Sequence, residues 1–238
     1  MGKILSVETA AGVASAAITI GDKLICEVTV NNKKTHSQTL MPIIDGVLKQ
    51  AQMQISDIDL IAVANGPGSF TGLRIGVSVV KGLAHAAKKP VIGISSLTAM
   101  AYNLPFCEYL ISPIMDARRE QVYNAVYEWQ DGELIEIEPP RAIALEELCT
   151  ELAKKDKRVV FLGDGVLPYK EEIIKLLGDK VVFAPSCANE QRAASLAIPA
   201  RKLFKEGKQK SCFELTPVYL RKSQAEREAE EKERNKIK

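Results

Sequence analysis

"DIDLIAVANGPGSFTGLRIG", Asp57–Gly76, sets the fold class of this chain. Its first nine residues are almost continuously apolar, as in a central strand covered by helices on both faces. The overlapping twelve, Asn65–Gly76, hold four glycines, a proline and an arginine. The pattern then changes to helical spacing, predicting a helix from about Thr71 to Lys88. A strand that enters a helix through a glycine-rich turn is one unit of a layered α/β protein.

The flanks extend this unit. "KILSVETA", "VASAAITI" and "KLICEVTV" read as three short strands, with "GDK" (Gly21–Lys23) as a hairpin turn. A helix is expected from about Gln38 to Gln52. The strand "PVIGIS" follows the quoted unit, and another helix starts near Ser96. The second half repeats the order: "EYLISPIMDA", "QVYNAVYEW" and "ELIEIE" as strands, "ALEELCTELAKK" as a helix, "RVVFLGDG" as a strand, "PYKEEIIKLL" as a helix and "KVVFAP" as a strand. A last helix spans "ANEQRAASLAIPARKLFKEG", with an interruption expected near Pro199. The repeated βββαβα order predicts two α/β lobes with a cleft between them. The expected division is 1–104 and 105–220, followed by a charged tail at 221–238.

At 238 residues, with 46% hydrophobic and 26% charged residues, the composition is that of a globular protein with ample core. No apolar run reaches the ~20 residues of a membrane span, and the sequence begins without a signal-like segment. Five scattered cysteines with no C-x-x-C spacing suggest neither a disulfide framework nor a zinc knuckle. The expectation is a cytoplasmic protein without membrane contact. The net charge of +2 comes entirely from the tail 221–238, which has seven basic and five acidic residues. The body is left with 25 charges of each sign, which disfavours a self-sufficient nucleic-acid binder.

The glycine-rich turn lacks the parts of the usual phosphate and nucleophile motifs. Gly72 is followed by Leu73 and Arg74 rather than Lys and Ser/Thr. The third glycine of a dinucleotide fingerprint is replaced by Thr71. Ser69 is flanked two residues away by Pro67 and Thr71, not by the glycines of a nucleophile elbow. Gly68, Ser69, Thr71, Gly72 and Arg74 could still meet an anion at the helix start. Equally, Ser69 or Thr71 could cap that helix from within.

Asp116, Arg118 and Arg119 in "MDARREQVY" form a tight turn that would face an interlobe cleft, either as ligand contacts or as a salt-bridged turn. "GDG" (Gly163–Gly165) could line the same cleft or be an ordinary turn. His36 and His85 have no histidine one helical turn away, so no metal-gripping pair is written.

The helix after the turn carries more apolar surface than a sheet needs. At 100° per residue, Leu73, Val77, Val80, Ala84 and Ala87 share one face. Ile75, Val79, Leu83 and Ala86, with Gly72, Gly76 and Gly82, cover the opposite one. Arg74, Ser78, Lys81, His85 and Lys88 form a narrow polar stripe. The second apolar face is either core or the seat of a neighbouring helix or subunit, approached closely at its glycines.

"ILSVETA", "THSQTLMPII", "NGPGSFTGLRIGVSVVKGLA", "GISSLTAMA", "MDARREQVY" and "TPVYLR", taken in order, resemble the TsaB (YeaZ) family of bacterial proteins needed to make threonylcarbamoyladenosine in tRNA. The resemblance runs to about Arg221 and implies the two-lobed actin/sugar-kinase/heat-shock ATPase fold. It implies a non-catalytic subunit that supports a paralogous partner, TsaD, with an ATPase, TsaE, docking on the pair. TsaD would transfer threonylcarbamoyl from its adenylate to adenosine beside the anticodon of tRNAs reading codons that begin with A. The chain would form a homodimer when alone and meet tRNA only through the complex.

Pairing would run through the two N-terminal-lobe helices, with His36, Leu40, Met41 and Ile44 on the first and Phe70, Ile75, Val79 and Leu83 on the second. The partner's metal-binding histidines correspond to Ser96 and Met100 here, which cannot replace imidazole. No cofactor is implied, and "VETAAG" leaves room only for weak ATP or ADP binding, with Gly68, Ser69, Thr71, Gly72, Arg74, Asp116 and Arg118 as contacts. The alternatives are a kinase or metallopeptidase of the same fold, or a simple homodimeric binding module.

Overall fold

The computed structural model of the chain describes residues 2–32 and 34–221, so the charged tail beyond Arg221 lies outside the described residues. The first lobe contains β1 (Lys3–Glu8), β2 (Ala14–Ile20), β3 (Lys23–Val30), α1 (His36–Gln50), β4 (Leu60–Gly66), α2 (Phe70–Ala87) and β5 (Val91–Ser95). Its sheet runs β3-β2-β1-β4-β5. β1 and β2 pair antiparallel, whereas β4 lies parallel to both β1 and β5. After the short α3 (Ser96–Ala101) the chain enters β6 (Leu110–Asp116), β7 (Gln121–Gln130), β8 (Glu133–Ala144), α4 (Leu145–Ala153), β9 (Val159–Leu162), α5 (Val166–Leu177) and β10 (Val181–Phe183). This sheet runs β8-β7-β6-β9-β10, the same order counted from its own first strand. The duplicated actin/sugar-kinase/heat-shock ATPase-like fold is therefore present.

The strand pattern explains the layers. In β4, Ile61 and Val63 face α1 and α2, joining Leu40, Ile44, Val47, Val77 and Val80 in one buried cluster. Leu60, Ala62 and Ala64 face the other way and join Ile92, Ile94, Leu97 and Leu196. The second cluster continues into Ile111, Met115, Tyr127 and Leu162 of the second sheet, so one apolar core joins the lobes. A third cluster lies under α4 and α5.

The C-terminal segment departs from the expected division. After α6 (Ser186–Asn189), α7 (Ala193–Lys205) packs across β1, β2, β4 and β5 rather than on the second sheet. The chain then adds Lys210 beside Val91, and the Val218 N–H donates to the Asn65 carbonyl at 2.7 Å. The residues expected in one 105–220 lobe thus divide between two bodies in space. The helix does not break at Pro199, which lies buried inside α7. The break falls just before it, where the Asn103 amide donates to the carbonyls of Ala188 (3.0 Å) and Glu190 (2.8 Å). β8 also runs past the expected "ELIEIE" through Pro139 and Pro140. Both are tolerated because β8 is an edge strand with shifted register opposite Val126.

Glu27 of β3 fixes the returning helix. Its carboxylate accepts from the Ala194 N–H at 2.9 Å and from the Arg192 guanidinium at 3.1 and 2.5 Å. Glu27 is thus a distant N-terminal cap for α7, where a negative charge also suits the helix dipole. Glu27→Ala is expected to lower the stability measured by urea unfolding by about 2 kcal/mol, since it strands a backbone N–H and a half-buried guanidinium.

Candidate functional site

The loops at the carboxyl ends of the strands meet in a cleft of about 600 Å³ between the lobes. The first lobe supplies Ala10–Gly12 and Gly68–Thr71. The second supplies Met115–Arg118, Tyr123 and Asp164, and Val218–Arg221 closes one side. Of the residues expected at an anion, the cleft brings together Gly68, Ser69, Thr71, Asp116 and Arg118. Gly72 and Arg74 are not among its lining residues.

Local geometry explains the separation. The Ser69 hydroxyl accepts from the Gly72 N–H at 3.2 Å, and the Ser69 N–H donates to the Ala10 carbonyl at 2.7 Å. The helix start is capped from within. Gly72 and Gly76 are glycine because Thr9 lies against them: a Cβ would stand 2.2 Å from the Thr9 carbonyl oxygen and 2.2 Å from its hydroxyl, respectively. Thr9 Oγ1 donates to the Gly72 carbonyl at 2.8 Å. These glycines seat the first hairpin on α2 and do not admit a partner helix, correcting the expectation that they open its second face. Gly82 faces open space. Arg74 lies over the Phe70 ring at 4.1 Å and donates from Nε to the Tyr219 hydroxyl at 3.1 Å. Tyr219 stacks on Phe70 with centroids 4.2 Å apart.

The far wall is a strained hairpin. Arg118, Arg119 and Glu120 have φ of 65°, 56° and 57°, a left-handed run costly for side-chain-bearing residues. Asp116 stabilises it by accepting from the Arg118 N–H at 2.8 Å, and its second oxygen lies 3.5 Å from the Arg118 guanidinium. Arg221 donates to the Ala117 carbonyl at 2.6 Å, tying the C-terminal segment to this hairpin. Neither Tyr219 nor Arg221 carries a local sequence signal for this role, which depends on the chain returning across both lobes.

Two buried carboxyls belong to the segments that form the cleft: Asp164 lines it, and Glu8 ends β1 two residues before the lining Ala10. Glu8 is fully buried, and its Oε1 accepts from the Ala10 N–H at 2.6 Å. Its Oε2 has no partner among the described residues. Burial raises this carboxyl to about 7, with Asp164 adding a smaller upward push. Asp164 is itself raised, chiefly by burial, while accepting from Gln191 Nε2 at 2.9 Å. Two of the groups expected at an anion are thus engaged within the chain, the Gly72 N–H by Ser69 and Arg74 by Phe70 and Tyr219.

The metal positions implied by the resemblance lie elsewhere. Ser96 is 0% and Met100 1% exposed, both inside the apolar layer joining the lobes. Among the described residues no group of three His, Cys, Asp or Glu side chains is placed to hold a metal ion. His36 is half-buried with Nε2 2.7 Å from the Ala11 carbonyl, and His85 meets the edge of Phe213.

The residues expected at a partner interface separate into two sets. Leu40 and Ile44 are each 1% exposed and belong to the core between α1, α2 and the sheet, so they cannot contact a partner directly. The helical period alone could not separate core from interface on α1, because the sheet takes the wider part of its apolar face. Met41 is exposed, whereas Ile75, Val79 and Leu83 remain half-buried at the rim of that core. Phe70 is half-buried and engaged by Tyr219 and Arg74.

Residues 23–229 match the family model described as TsaD, tRNA N6-adenosine threonylcarbamoyltransferase. The tRNA threonylcarbamoyladenosine biosynthesis protein TsaB of Bacillus subtilis (strain 168) is 36% identical over 223 residues, covering 94% of this chain and 96% of its own. The protein of the same name from Escherichia coli (strain K12) is 30% identical over 236 residues, again 94% and 96%. YeaZ from Pseudomonas aeruginosa superposes with a TM-score of 0.77 at 26% identity, covering 92% of this chain and all of that one.

Proposed function

The chain belongs to the TsaB family of tRNA threonylcarbamoyladenosine biosynthesis proteins, and from that premise we propose that it is the non-catalytic subunit that holds a TsaD-type transferase active. The carrying observation is the second apolar strip of α2: Ile75, Val79 and Leu83 stay half-buried after Val77 and Val80 have covered the sheet and Leu73 has joined the layer between the lobes. Exposed apolar surface on a helix with a finished core marks a docking face. Met41 extends it on α1. We place the TsaD-type partner on this face in the working complex and a second copy of this chain there when the partner is absent. A TsaE-type ATPase docks on the assembled pair.

The chemistry of the cleft supports a supporting role. Among the described residues the lining of the cleft holds no histidine and no thiol, and it would hold ATP or ADP at best weakly. The chain is proposed to need neither nucleotide nor metal of its own. Its place is the cytoplasm, with the tRNA; no helix among the described residues is long and apolar enough to cross a membrane.

Reconstitution tests the reading. Purified chain, incubated with unmodified tRNA and threonylcarbamoyl-adenylate, is expected to give no modified adenosine by nucleoside mass spectrometry. Product is expected once TsaD- and TsaE-type subunits are added, and not when this chain alone is withheld. Transfer by the isolated chain would overturn the proposal.

A further inference from the structure

The polar stripe of α2 is left unexplained by partner docking, and it is entirely basic or neutral. Arg74, Ser78, Lys81, His85 and Lys88 fall within about 80° of one another around the helix, separate from the strip of Ile75 and Val79. α2 contains no acidic residue, and from Arg74 to Lys88 the stripe is about 21 Å long. The segment that returns after α7 runs beside it. Lys81 donates to the Leu215 carbonyl at 3.0 Å, and the Phe213 ring meets His85 edge-on with centroids 5.4 Å apart.

At the end of α2 the two elements enclose a groove of about 490 Å³ lined by His85, Lys88, Lys210 and Phe213 among others. Phe213 is 72% exposed. Arg74, Lys81, Lys88 and Lys210 take part in no ion pair among the described residues. Glu214, the carboxylate beside Lys210, accepts from the Ser211 N–H at 3.0 Å.

Two ordinary explanations fall short. Cations in the last turn complement a helix dipole, which accounts for His85 and Lys88. It does not account for Lys210, which comes from another segment, whereas Arg74 and Lys81 are held by Tyr219 and the Leu215 carbonyl. A solvated face accounts for lysines but not for an aromatic ring held in water beside them. Lys88 and Lys210, in no ion pair among the described residues, flank an exposed ring in one groove, and that combination suits a phosphate backbone with an unpaired base stacked on the ring.

We propose that this edge of α2, ending in the groove between Lys88 and Phe213, is a contact surface for the phosphate backbone of the tRNA substrate. The inference rests on the subunit reading above and adds a direct RNA contact to it. Because the stripe adjoins the docking strip, RNA on it would lie along the seam with the partner. The balanced charge of the rest of the body explains why the contact would count only within the assembled complex.

The test compares wild type, Lys88→Gln/Lys210→Gln and Phe213→Ala, each assembled with the TsaD-type partner. Binding of full-length unmodified tRNA is followed by fluorescence anisotropy across a salt series. The double variant is expected to bind about ten-fold more weakly at low salt, with the slope of log K against log salt reduced by about two. Phe213→Ala is expected to weaken binding about five-fold or more with the slope unchanged. Affinity and slope equal to wild type in both variants would overturn the surface while leaving the subunit reading intact.

Size-exclusion chromatography of the same samples separates the remaining outcome. Loss of pairing by either variant would assign the groove to the protein interface and overturn the RNA contact. A wild-type complex that neither binds nor modifies tRNA would overturn both readings.

Discussion

Leu73→Asp and Val77→Asp will disrupt folding, whereas Ile75→Asp and Val79→Asp will leave the protein folded and cost it its partner. All four lie within seven residues of one helix and gain the same charge, so the direction each side chain faces is the main difference. Leu73 is 0% exposed and packs with Ala10, Leu60 and Ile94 in the layer joining the lobes. Val77, 3% exposed, faces Ile61 and Val63 on the other cluster. An aspartate at either place must be buried ionised or protonated, and it also leaves part of an apolar site unfilled. The combined cost is about 4 kcal/mol or more, a large share of the 5–15 kcal/mol of a typical domain.

At Ile75 and Val79 the carboxylate can turn towards water, so the expected loss of stability is about 1 kcal/mol. A charge placed in the middle of an apolar contact should weaken pairing at least about ten-fold. Circular dichroism with urea melts reads the first effect; sizing with light scattering, with and without the TsaD-type partner, reads the second. Unfolding by all four substitutions, or unchanged pairing by the second pair, would remove the support for α2 as the docking helix.

The strip on α2 was legible because a helix has one rotation per residue and the sequence shows two apolar sectors. The same logic failed on α1. Leu40 and Ile44 share a face with plausible interface positions, but that face is the one turned to β2, β3 and α2. The duplicated strand order was legible because strand, turn and helix signals are local and recur in both halves. What local signals could not reveal was the return of α7 to the first sheet, since nothing in "AASLAIPARKLFK" states which of two similar sheets it will cover.

The cleft was partly legible for the same reason. "GPGSFTG" and "MDARRE" announce turns at strand ends, and both line it. Their internal engagements were hidden. Gly72 faces Thr9 from 63 residues away, and Tyr219 reaches Arg74 across 145. A glycine spared for a neighbouring side chain and one spared for a phosphate look identical in sequence.

Glu8→Gln is expected to stabilise the protein at pH 8 and to do so much less at pH 5. The wild-type carboxyl titrates at about 7 in the folded chain, against an ordinary value of 4.5, because burial disfavours its charge. Below about pH 4.5 the group is protonated both folded and unfolded, and the full stability is present. As pH rises towards 7 the unfolded chain releases the proton while the folded one retains it, so stability falls until the folded carboxyl has also ionised. The span of that loss is about 3 kcal/mol for this residue.

Asp164 is raised as well and adds a slope of the same sign, so the wild-type profile alone does not isolate Glu8. The difference between wild type and Glu8→Gln does. The amide oxygen can keep the bond from the Ala10 N–H, now made through Oε1. The new NH2 takes the position of Oε2, which has no partner among the described residues, at a cost of about 1 kcal/mol. Removing the buried charge outweighs this at pH 8, for a net gain of about 2 kcal/mol in urea unfolding. Near pH 5 the wild-type carboxyl is already neutral in the folded state, and most of the gain should vanish. A difference between the two proteins that is constant from pH 5 to 8 would show that Glu8 ionises normally and that its burial at the end of β1 does not hold it neutral.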